Sequence, residues 1–351
     1  MTDQPLPESS VDHVVFHVGD AHAAATAVRD GYGLDVYAMS RTDREVSVAV
    51  GAGGIRLVFT EARTDDHPAA AFVREHGDGV ADIALRTPDA RAAHTAVVSR
   101  GATSVSPPAE HQGIVTATVG GFGDVVHTFV ERAPGIDVRS LPGLTPAGGT
   151  QERASGTGLH EVDHFAVCLE GGRLDPTVRF YRDVFGFATI FTEYIVVGDQ
   201  AMDSTVVQSP SGRITLTLIE PDLSREPGQI DAFLKNHVGP GVQHIAFTTD
   251  DIVRTVGLLR ERGTEFLATP DAYYRTLSRS VKPSKHSMEA LRRLHLLVDE
   301  DHDGQLFQIF ARSTHPQRTF FFEVIERLGA TTFGSGNIKA LYEAVEEERS
   351  R

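Results

Sequence analysis

Short runs of β-branched and aromatic residues alternate with helical patterns along this chain, and the same order occurs twice. The runs "VDHVVFHV" (11–18) and "VDHFAVCL" (162–169) each predict a β-strand. Each is followed by a stretch with apolar residues at helical spacing, in residues 21–34 and 176–187. The repeat distance of about 150 residues is too long for a solenoid, so it indicates duplication of a whole domain.

The second part of each half repeats as well. The segment "HGDGVADIALRTPDA" (76–90) corresponds to "HVGPGVQHIAFTTDD" (237–251), and each is a predicted strand that leads into a predicted helix. Each half also ends in a strand that closes on Glu-Arg, "DVVHTFVER" (124–132) and "TFFFEVIER" (319–327). Two strand–helix passages followed by β-hairpins in each half predict a duplicated α+β domain.

Residues 133–158 separate the two halves. They are rich in Pro, Gly and Ser and lack apolar periodicity, which predicts a linker. We therefore expect an N-terminal domain over 1–132 and a C-terminal domain over 159–351. The tail of the second domain, residues 336–351, has apolar residues at helical spacing and is expected to form an amphipathic helix.

Composition narrows the class of protein. The 351 residues carry a net charge of −15, which argues against a nucleic-acid or anionic-membrane partner. A single cysteine, Cys168, excludes an intramolecular disulfide framework and suits a reducing cytosol. The polar N-terminal segment does not resemble a signal peptide, and no run of 18 apolar residues occurs. We expect a cytoplasmic protein that binds neither nucleic acid nor membrane.

Overlaying the two halves isolates three positions on predicted strands. In the C-terminal half these positions hold His164, His244 and Glu323. In the N-terminal half they hold His13, Asp82 and Thr128, so two of the three residues differ. Two histidines and one carboxylate make the facial triad of non-haem Fe(II) enzymes, which leaves coordination positions open for substrate and O2. The pattern predicts an iron site in the C-terminal half only, with His13 as a structural residue.

An alternative reading of these three positions has no metal. The histidines would then be hydrogen-bonded core residues, and Glu323 would pair with a nearby arginine. A carboxylate in the apolar run "TFFFEVIER" loses its hydration at a cost of several kcal/mol unless it is paired, protonated or bound to a metal. The alternative weakens for the three residues together, because the halves share an apolar framework and differ at two of the three positions.

Three other motifs are not expected to form sites. The sequence "DEDHDG" (299–304) matches the first half of an EF-hand loop, but Phe310 stands where the bidentate Glu should be. A turn before the strand "QLFQIF" is the better interpretation. "GGFG" (120–123) lacks the full glycine fingerprint and predicts a hairpin turn. Cys168 is expected to be a buried structural thiol.

The motifs "VDHFAVC", "GVQHIAF", "DGQLFQIF" and "FFFEVIERLGATTFGSGNIKALYEAVE" resemble the 4-hydroxyphenylpyruvate dioxygenase family within the vicinal-oxygen-chelate superfamily. The resemblance implies paired βαβββ modules in each half, mixed sheets that cup a metal site, and a C-terminal lid helix with possible hinges at Gly334 and Gly336. It implies Fe(II) as the cofactor, held by His164, His244 and Glu323. It further implies 4-hydroxyphenylpyruvate and O2 as substrates, and a homo-oligomer, expected to be a dimer.

The resemblance also implies a substrate pocket, with no catalytic residues beyond the metal ligands. For each pocket residue, ordinary core packing is an alternative role. The implied lining residues are Ser204, Thr217, Ile219, Gln308, Phe310, Phe321, Phe333, Asn337, Ile338 and Tyr342.

The family makes two products from one substrate, and some positions depart from the pattern of the homogentisate-forming dioxygenases. Where those enzymes usually read "FPINEP", this chain has "LTLIEP" (216–221), with Thr217 for proline and Ile219 for asparagine. Ile338 and Tyr342 stand where phenylalanines are common. These departures resemble the hydroxymandelate synthases, although neutral drift would also produce them.

We therefore expect benzylic hydroxylation to 4-hydroxymandelate, within the biosynthesis of hydroxyphenylglycine-containing peptide antibiotics. The main alternative is formation of homogentisate in tyrosine catabolism. Two further alternatives are a non-catalytic binding protein of this fold and an extradiol ring-cleaving dioxygenase, which the C-terminal motif fits poorly.

Overall fold

The computed structural model describes residues 4–147 and 156–332, together with residues 337 and 339. The N-terminal half contains β1 (Ser10–His17), α1 (Ala21–Tyr32), β2 (Asp35–Arg41), β3 (Glu45–Ala52), β4 (Ile55–Ala62), α2 (Pro68–His76), β5 (Gly79–Arg86), α3 (Ala90–Ser99), β6 (Ser104–His111), β7 (Ile114–Gly120), β8 (Val126–Arg132) and β9 (Thr145–Pro146).

The C-terminal half repeats this order with two additional helices. It contains β10 (Leu159–Cys168), α4 (Leu174–Asp183), β11 (Ala188–Val197), β12 (Gln200–Gln208), β13 (Thr215–Pro221), α5 (Gln229–His237), β14 (Gly241–Thr249), α6 (Ile252–Glu261), α7 (Asp271–Ser280), α8 (Met288–Leu294), β15 (Leu297–Glu300), β16 (Gln305–Phe310) and β17 (Phe321–Leu328).

The two sheets have the same topology, which confirms the predicted duplication. The first has the strand order β6-β7-β8-β5-β1-β4-β3-β2-β9. The second, taken from its opposite edge, has the order β15-β16-β17-β14-β10-β13-β12-β11. Each half is therefore a pair of βαβββ modules in one mixed sheet, as the resemblance implied. In each sheet the two central strands, β1 and β5 or β10 and β14, run antiparallel, and each has a parallel neighbour on its other side.

The segment between the halves contributes to the first sheet. Strand β9 lies within the predicted linker and pairs with β2, where Thr145 is opposite Met39. The domain limits at 132 and 158 stay a prediction. Most of the predicted tail helix lies outside the described residues, of which only Asn337 and Lys339 belong to it. None of the described helices combines the length and the apolar character that crossing a membrane requires.

Strand β17 positions two sets of side chains on opposite faces of the second sheet. Phe320 and Phe322 face the N-terminal half, where their rings lie 5.1 Å from Phe16 and 4.8 Å from Tyr32. Alternation along a strand places Phe321 and Glu323 on the other face. The strand is buried along most of its length, as its apolar sequence predicted. These hydrophobic contacts thus fix the orientation of β17, so that the side chain of Glu323 points to the opposite, concave face of the sheet.

Helices α2 and α5 connect the modules, and α7 and α8 lie between α6 and β15. None of these four was predicted from the sequence.

The two motifs interpreted as turns do connect adjacent strands. Asp301 accepts the backbone N–H groups of Asp303 and Gly304 at 2.9 Å, which closes a tight turn between β15 and β16. Residues 120–123 lead from β7 into β8, and the thiol of Cys168 is buried as expected.

Candidate metal centre

Strand register brings the three predicted ligands together. His164 on β10 lies opposite Ala246 on β14, and Ala246 lies opposite Glu323 on β17. The side chains of His164 and Glu323 therefore flank the small methyl group of Ala246. His244 lies on the same face of β14, two residues before Ala246. The sequence comparison did not identify Ala246, whose small size leaves space between the two flanking side chains.

The three side chains form a compact, buried group. The Nε2 atoms of His164 and His244 lie 3.4 Å and 3.3 Å from Oε2 of Glu323. The imidazole rings are 5.6 Å apart at an angle of 80°, so they approach the carboxylate from different directions. Ligand atoms bound to one divalent ion at bond lengths of about 2.1 Å lie roughly 3–3.5 Å apart. The spacing fits a single ion, and the group is one of two in the described residues that could hold a metal.

The electrostatics keep the carboxylate ionised. Burial alone would raise the pKa of Glu323, but the two adjacent histidines lower it below its usual value. Burial alone would lower the pKa of His164, whereas Glu323 and Asp163 together raise it to about 9. Burial lowers the pKa of His244, against the effect of Glu323. Once a metal ion displaces the proton of His164, the donor set is one anionic oxygen with two imidazole nitrogens, which matches the chemistry of a divalent transition metal.

A buried ion pair orients His164. The carboxylate of Asp163 lies 2.8 Å from Nδ1 of His164 and accepts two bonds of 2.9 Å from the guanidinium of Arg327. Because a carboxylate only accepts, Nδ1 carries a hydrogen and Nε2 remains as the ligand atom. Arg327 also donates to the carbonyl of Thr332 at 2.6 Å, where the chain leaves β17. Sequence reasoning missed Asp163 and Arg327, although "VDH" and "ER" occur in both halves.

The same ion pair exists in the N-terminal half. Asp12 lies 2.6 Å from Nδ1 of His13 and accepts two bonds from Arg132. The other two positions differ, because the carboxylate of Asp82 accepts the backbone N–H and the hydroxyl of Thr128. Burial raises the pKa of Asp82 to about 6, against the effect of Thr128. In this half a direct hydrogen bond joins the two strands at the positions that His244 and Glu323 occupy in the other.

Several predicted pocket residues lie on the face that carries the three candidate ligands. Thr217 lies opposite Ala166, and Ala166 lies opposite His244. The ring of Phe321 stacks on His244 at 4.9 Å and 25°, and the ring of Phe310 lies 5.9 Å from His244. These side chains are buried or half-buried and form a continuous wall beside the candidate ligands.

The remaining predicted residues lie at different distances from the candidate ligands. Ile219 is paired with Cys168 on β10 and with Ser204 on β12, farther along the same face. Gln308 is buried two residues before Phe310 on β16. Three predicted residues, Phe333, Ile338 and Tyr342, lie outside the described residues.

The candidate ligands and the predicted pocket residues include polar atoms that lack partners. The hydroxyl of Thr217, Nδ1 of His244 and the side-chain nitrogen of Asn337 are buried without a hydrogen-bond partner in the described part of the chain. Such atoms are rare in folded proteins unless a ligand or water satisfies them. Tyr273 of α7, which the sequence did not indicate, packs beside Phe310 and lies 3.1 Å from Oδ1 of Asn337. A cavity of about 1210 Å³ between the halves is lined in part by Phe321 but does not include the candidate ligands.

Comparisons with known proteins agree with this architecture. Residues 3–139 match the family model "Hydroxyphenylpyruvate dioxygenase, HPPD, N-terminal", and residues 161–309 match "Glyoxalase/Bleomycin resistance protein/Dioxygenase superfamily". The structure of a mutant 4-hydroxymandelate synthase from Streptomyces coelicolor superposes with a TM-score of 0.90 at 41% identity, covering 98% of this chain and 100% of that one.

Curated relatives extend over the same length. The 4-hydroxyphenylpyruvate dioxygenase of Dictyostelium discoideum is 34% identical over 96% of this chain and 97% of its own. The corresponding enzyme of Yarrowia lipolytica is 30% identical over 97% of this chain and 92% of its own. Similarity of this degree over both halves, together with the shared fold, shows that the chain belongs to the 4-hydroxyphenylpyruvate dioxygenase family of the vicinal-oxygen-chelate superfamily.

Proposed function

We propose that the chain is a non-haem Fe(II) dioxygenase that converts 4-hydroxyphenylpyruvate and O2 into 4-hydroxymandelate and CO2. The observation that carries the choice of product is the position of Thr217 and Ile219 on the face of the candidate ligands. There they replace the proline and asparagine typical of homogentisate-forming enzymes. The 41% identity to the hydroxymandelate synthase structure, against 34% and 30% for the two curated dioxygenases named above, supports the same product.

The chemistry of the donor set supports iron at this site. His164, His244 and Glu323 would hold Fe(II), and the buried, unpartnered polar atoms nearby would be satisfied by substrate. Bound there, Fe(II) would supply the activation of O2 and the oxidative decarboxylation of the 2-oxo acid. The protein's own contribution is to fix the ligands, orient the substrate and exclude water.

Each residue around the candidate ligands would have a separate role in binding the metal or the substrate. Asp163 holds the imidazole of His164 in one orientation, and Ala246 keeps the space between His164 and Glu323 open. The rings of Phe310 and Phe321 provide an apolar surface for an aromatic substrate and shield the site from water. The hydroxyl of Thr217, which lacks a partner, would bond a polar group of the substrate.

Regiochemistry follows from where this wall places the substrate. An asparagine at 219 offers a donor and an acceptor, whereas Ile219 offers neither and packs against Cys168. The polar end of the substrate would then lose one anchor, and its ring would shift relative to the three candidate ligands. A shift of about 1 Å is enough to change which carbon is closest to the reacting centre.

The alternative product is homogentisate, which the names of the curated relatives favour. A non-catalytic binding role is disfavoured by the three buried candidate ligands, one of which, His164, is oriented by the ion pair of Asp163 and Arg327. The proposal includes the cytoplasmic location expected from the composition, together with the dimeric state and the role in antibiotic biosynthesis that the family resemblance implies.

One experiment tests the assignment. Purified protein is reconstituted anaerobically with Fe(II), mixed with 4-hydroxyphenylpyruvate and O2, and its product is identified by chromatography against standards, because the two products are isomers. We expect 4-hydroxymandelate; homogentisate as the main product would contradict the proposed regiochemistry. Glu323→Ala should abolish turnover, whereas Thr128→Ala, at the equivalent position of the N-terminal half, should retain it. No O2 uptake with any aryl pyruvate would reject both dioxygenase functions.

A further inference from the structure

A second cluster of candidate ligands lies at the junction of the two halves. His76 is the last residue of α2, and its side chain is 3% exposed. Its Nδ1 atom lies 2.7 Å from the backbone carbonyl of His237, the last residue of α5. A carbonyl oxygen only accepts hydrogen bonds, so Nδ1 must carry a hydrogen. This contact links the N-terminal half to the C-terminal half and fixes the orientation of the imidazole.

The other nitrogen of this ring faces a carboxylate. Nε2 of His76 lies 2.9 Å from Oδ2 of Asp124, in the turn between β7 and β8. Because Nδ1 already carries the hydrogen of the neutral ring, a neutral His76 would direct a lone pair at an oxygen that also only accepts. A metal ion bound to both atoms would remove this conflict, as would a bridging proton.

Geometry and charge around this point suit a metal ion. Ligand atoms of Glu75, His76 and Asp124 lie within 4.8 Å of one another, the same limit that the three candidate ligands of the metal centre meet. The carboxyl ends of α2 and α5 both direct the negative ends of their dipoles here. The ring of His237 stacks on His76 at 4.6 Å and 18°, so it adds a flat packing surface without a further ligand.

We propose that Glu75, His76 and Asp124 form a second divalent-metal site, which takes a borderline transition-metal ion such as Zn²⁺ or Co²⁺. One imidazole and two carboxylates suit such an ion, with the remaining positions open to water on the side of the exposed carboxylates. Through Nδ1 of His76 the bound ion would strengthen the contact of α2 with the end of α5. The proposal does not depend on the product that the enzyme makes.

A metal ion bound at this site would affect the proposed substrate pocket through helix α5. Ile230 and Phe233 of this helix pack against Cys168 and Ile219 on the pocket wall. A metal ion that holds the C-terminal end of α5 in place would therefore limit movement of this wall. The role that follows is structural, a cross-link between the halves at the side of the active site.

The test uses iron-loaded enzyme and Co²⁺ as the probe, with both metals measured after equilibrium dialysis. We expect one Co²⁺ per chain in addition to retained iron. His76→Phe keeps an aromatic ring in the stack and should abolish the additional Co²⁺. Glu75→Gln, at an exposed position that leaves the fold intact, should weaken Co²⁺ binding at least tenfold. Co²⁺ should raise the Tm of the wild type and leave that of His76→Phe unchanged.

A matched control separates this site from ordinary surface pairs. His160 and Asp250 form an exposed His–Asp contact of 3.4 Å that belongs to neither candidate metal group. Asp250→Asn should therefore leave Co²⁺ binding unchanged. Two results would overturn the proposal: no additional Co²⁺ in the wild type, or additional Co²⁺ that neither His76→Phe nor Glu75→Gln affects. The first result would mean that a proton bridges His76 and Asp124.

Discussion

Replacing Asp163 with asparagine tests the outer contacts of the candidate metal centre without changing the three candidate ligands. The Asp163→Asn side chain would keep the shape of the original but lose the charge that pairs with Arg327, and its amide nitrogen would face a hydrogen-bond donor. Removing one partner of a buried pair costs about 3–5 kcal/mol. The Arg327 side chain is 21% exposed and one hydrogen bond survives, so we expect a loss of about 2 kcal/mol in the free energy of unfolding.

The effect on metal binding has a separate cause. Without the carboxylate, His164 loses the acceptor that fixes its ring orientation and makes Nε2 a better ligand. Loss of such an outer partner weakens metal affinity about 10- to 100-fold, which corresponds to about 1.4–2.8 kcal/mol. Fe(II) affinity is measured anaerobically by competition with a chromophoric chelator, and stability is measured by urea unfolding of the iron-free protein.

The duplicated fold supplies the control. Asp12→Asn removes the same contacts from His13 and Arg132 in the N-terminal half, where no three-ligand group forms at the equivalent positions among the described residues. It should lower the free energy of unfolding by more than Asp163→Asn does, about 3–5 kcal/mol, because the side chains of Arg132 and Asp12 are only 3% and 0% exposed. It should leave iron affinity unchanged. Equal losses of iron affinity in the two variants would refute the reasoning, because the effect would then come from general destabilisation. Unchanged iron affinity in both variants would show that His164 does not need Asp163 in order to bind iron.

Three further predictions concern single positions. Ala246→Leu should fill the space between His164 and Glu323 and abolish iron binding in the dialysis assay; retained iron would show that this space is not the metal site. Thr217→Val removes a buried hydroxyl without a partner, so it should raise the free energy of unfolding by about 1 kcal/mol and raise KM for 4-hydroxyphenylpyruvate about tenfold. An unchanged KM would exclude contact with substrate. Burial lowers the pKa of His127 from 6.5 to about 4, so the unfolded chain binds a proton that the folded chain does not. Stability should therefore fall by up to about 3 kcal/mol from pH 6.5 to pH 4, and less in His127→Gln.

The sequence predicted the parts of the fold that occur twice. Apolar runs of matching length marked the strands, and comparison of the halves marked the candidate ligands, because substitutions at equivalent positions stand out against a shared framework. Helices α7 and α8 have no counterpart in the N-terminal half, so this comparison could not reveal Tyr273. Its position in the pocket depends on the packing of α7 against β15 and β16, which no local pattern encodes.

The outer ion pair shows a different limit. Asp163 and Arg327 are far apart in sequence, and both "VDH" and "ER" were present in each half. Their contact follows only from the strand order, because β10 and β17 both pair with β14 and so lie on either side of it. Because both halves contain this Asp–Arg pair, the sequence alone suggests that its role is structural. In the C-terminal half, however, the pair also orients a candidate metal ligand.

The N-terminal half also indicates how the candidate metal centre behaves without its ion. The same strand pairing and the same Asp–His–Arg contacts occur there without a triad, so this framework does not need metal to fold. In the C-terminal half, the His164 pKa of about 9 allows a proton to compensate Glu323 when iron is absent. We therefore expect chelation to leave the secondary structure intact, measured by circular dichroism.

The loss of stability on chelation should equal the binding contribution alone. That contribution is about 2.7 kcal/mol when free iron is 100 times its Kd, and it shrinks as iron is diluted. The Tm should accordingly follow the iron concentration continuously. An iron-free protein that loses its fixed tertiary structure would refute this view, because the metal would then be part of the folding of the C-terminal half. A preformed site with three protein ligands would leave the other coordination positions of the metal for substrate and O2, which is what a dioxygenase requires.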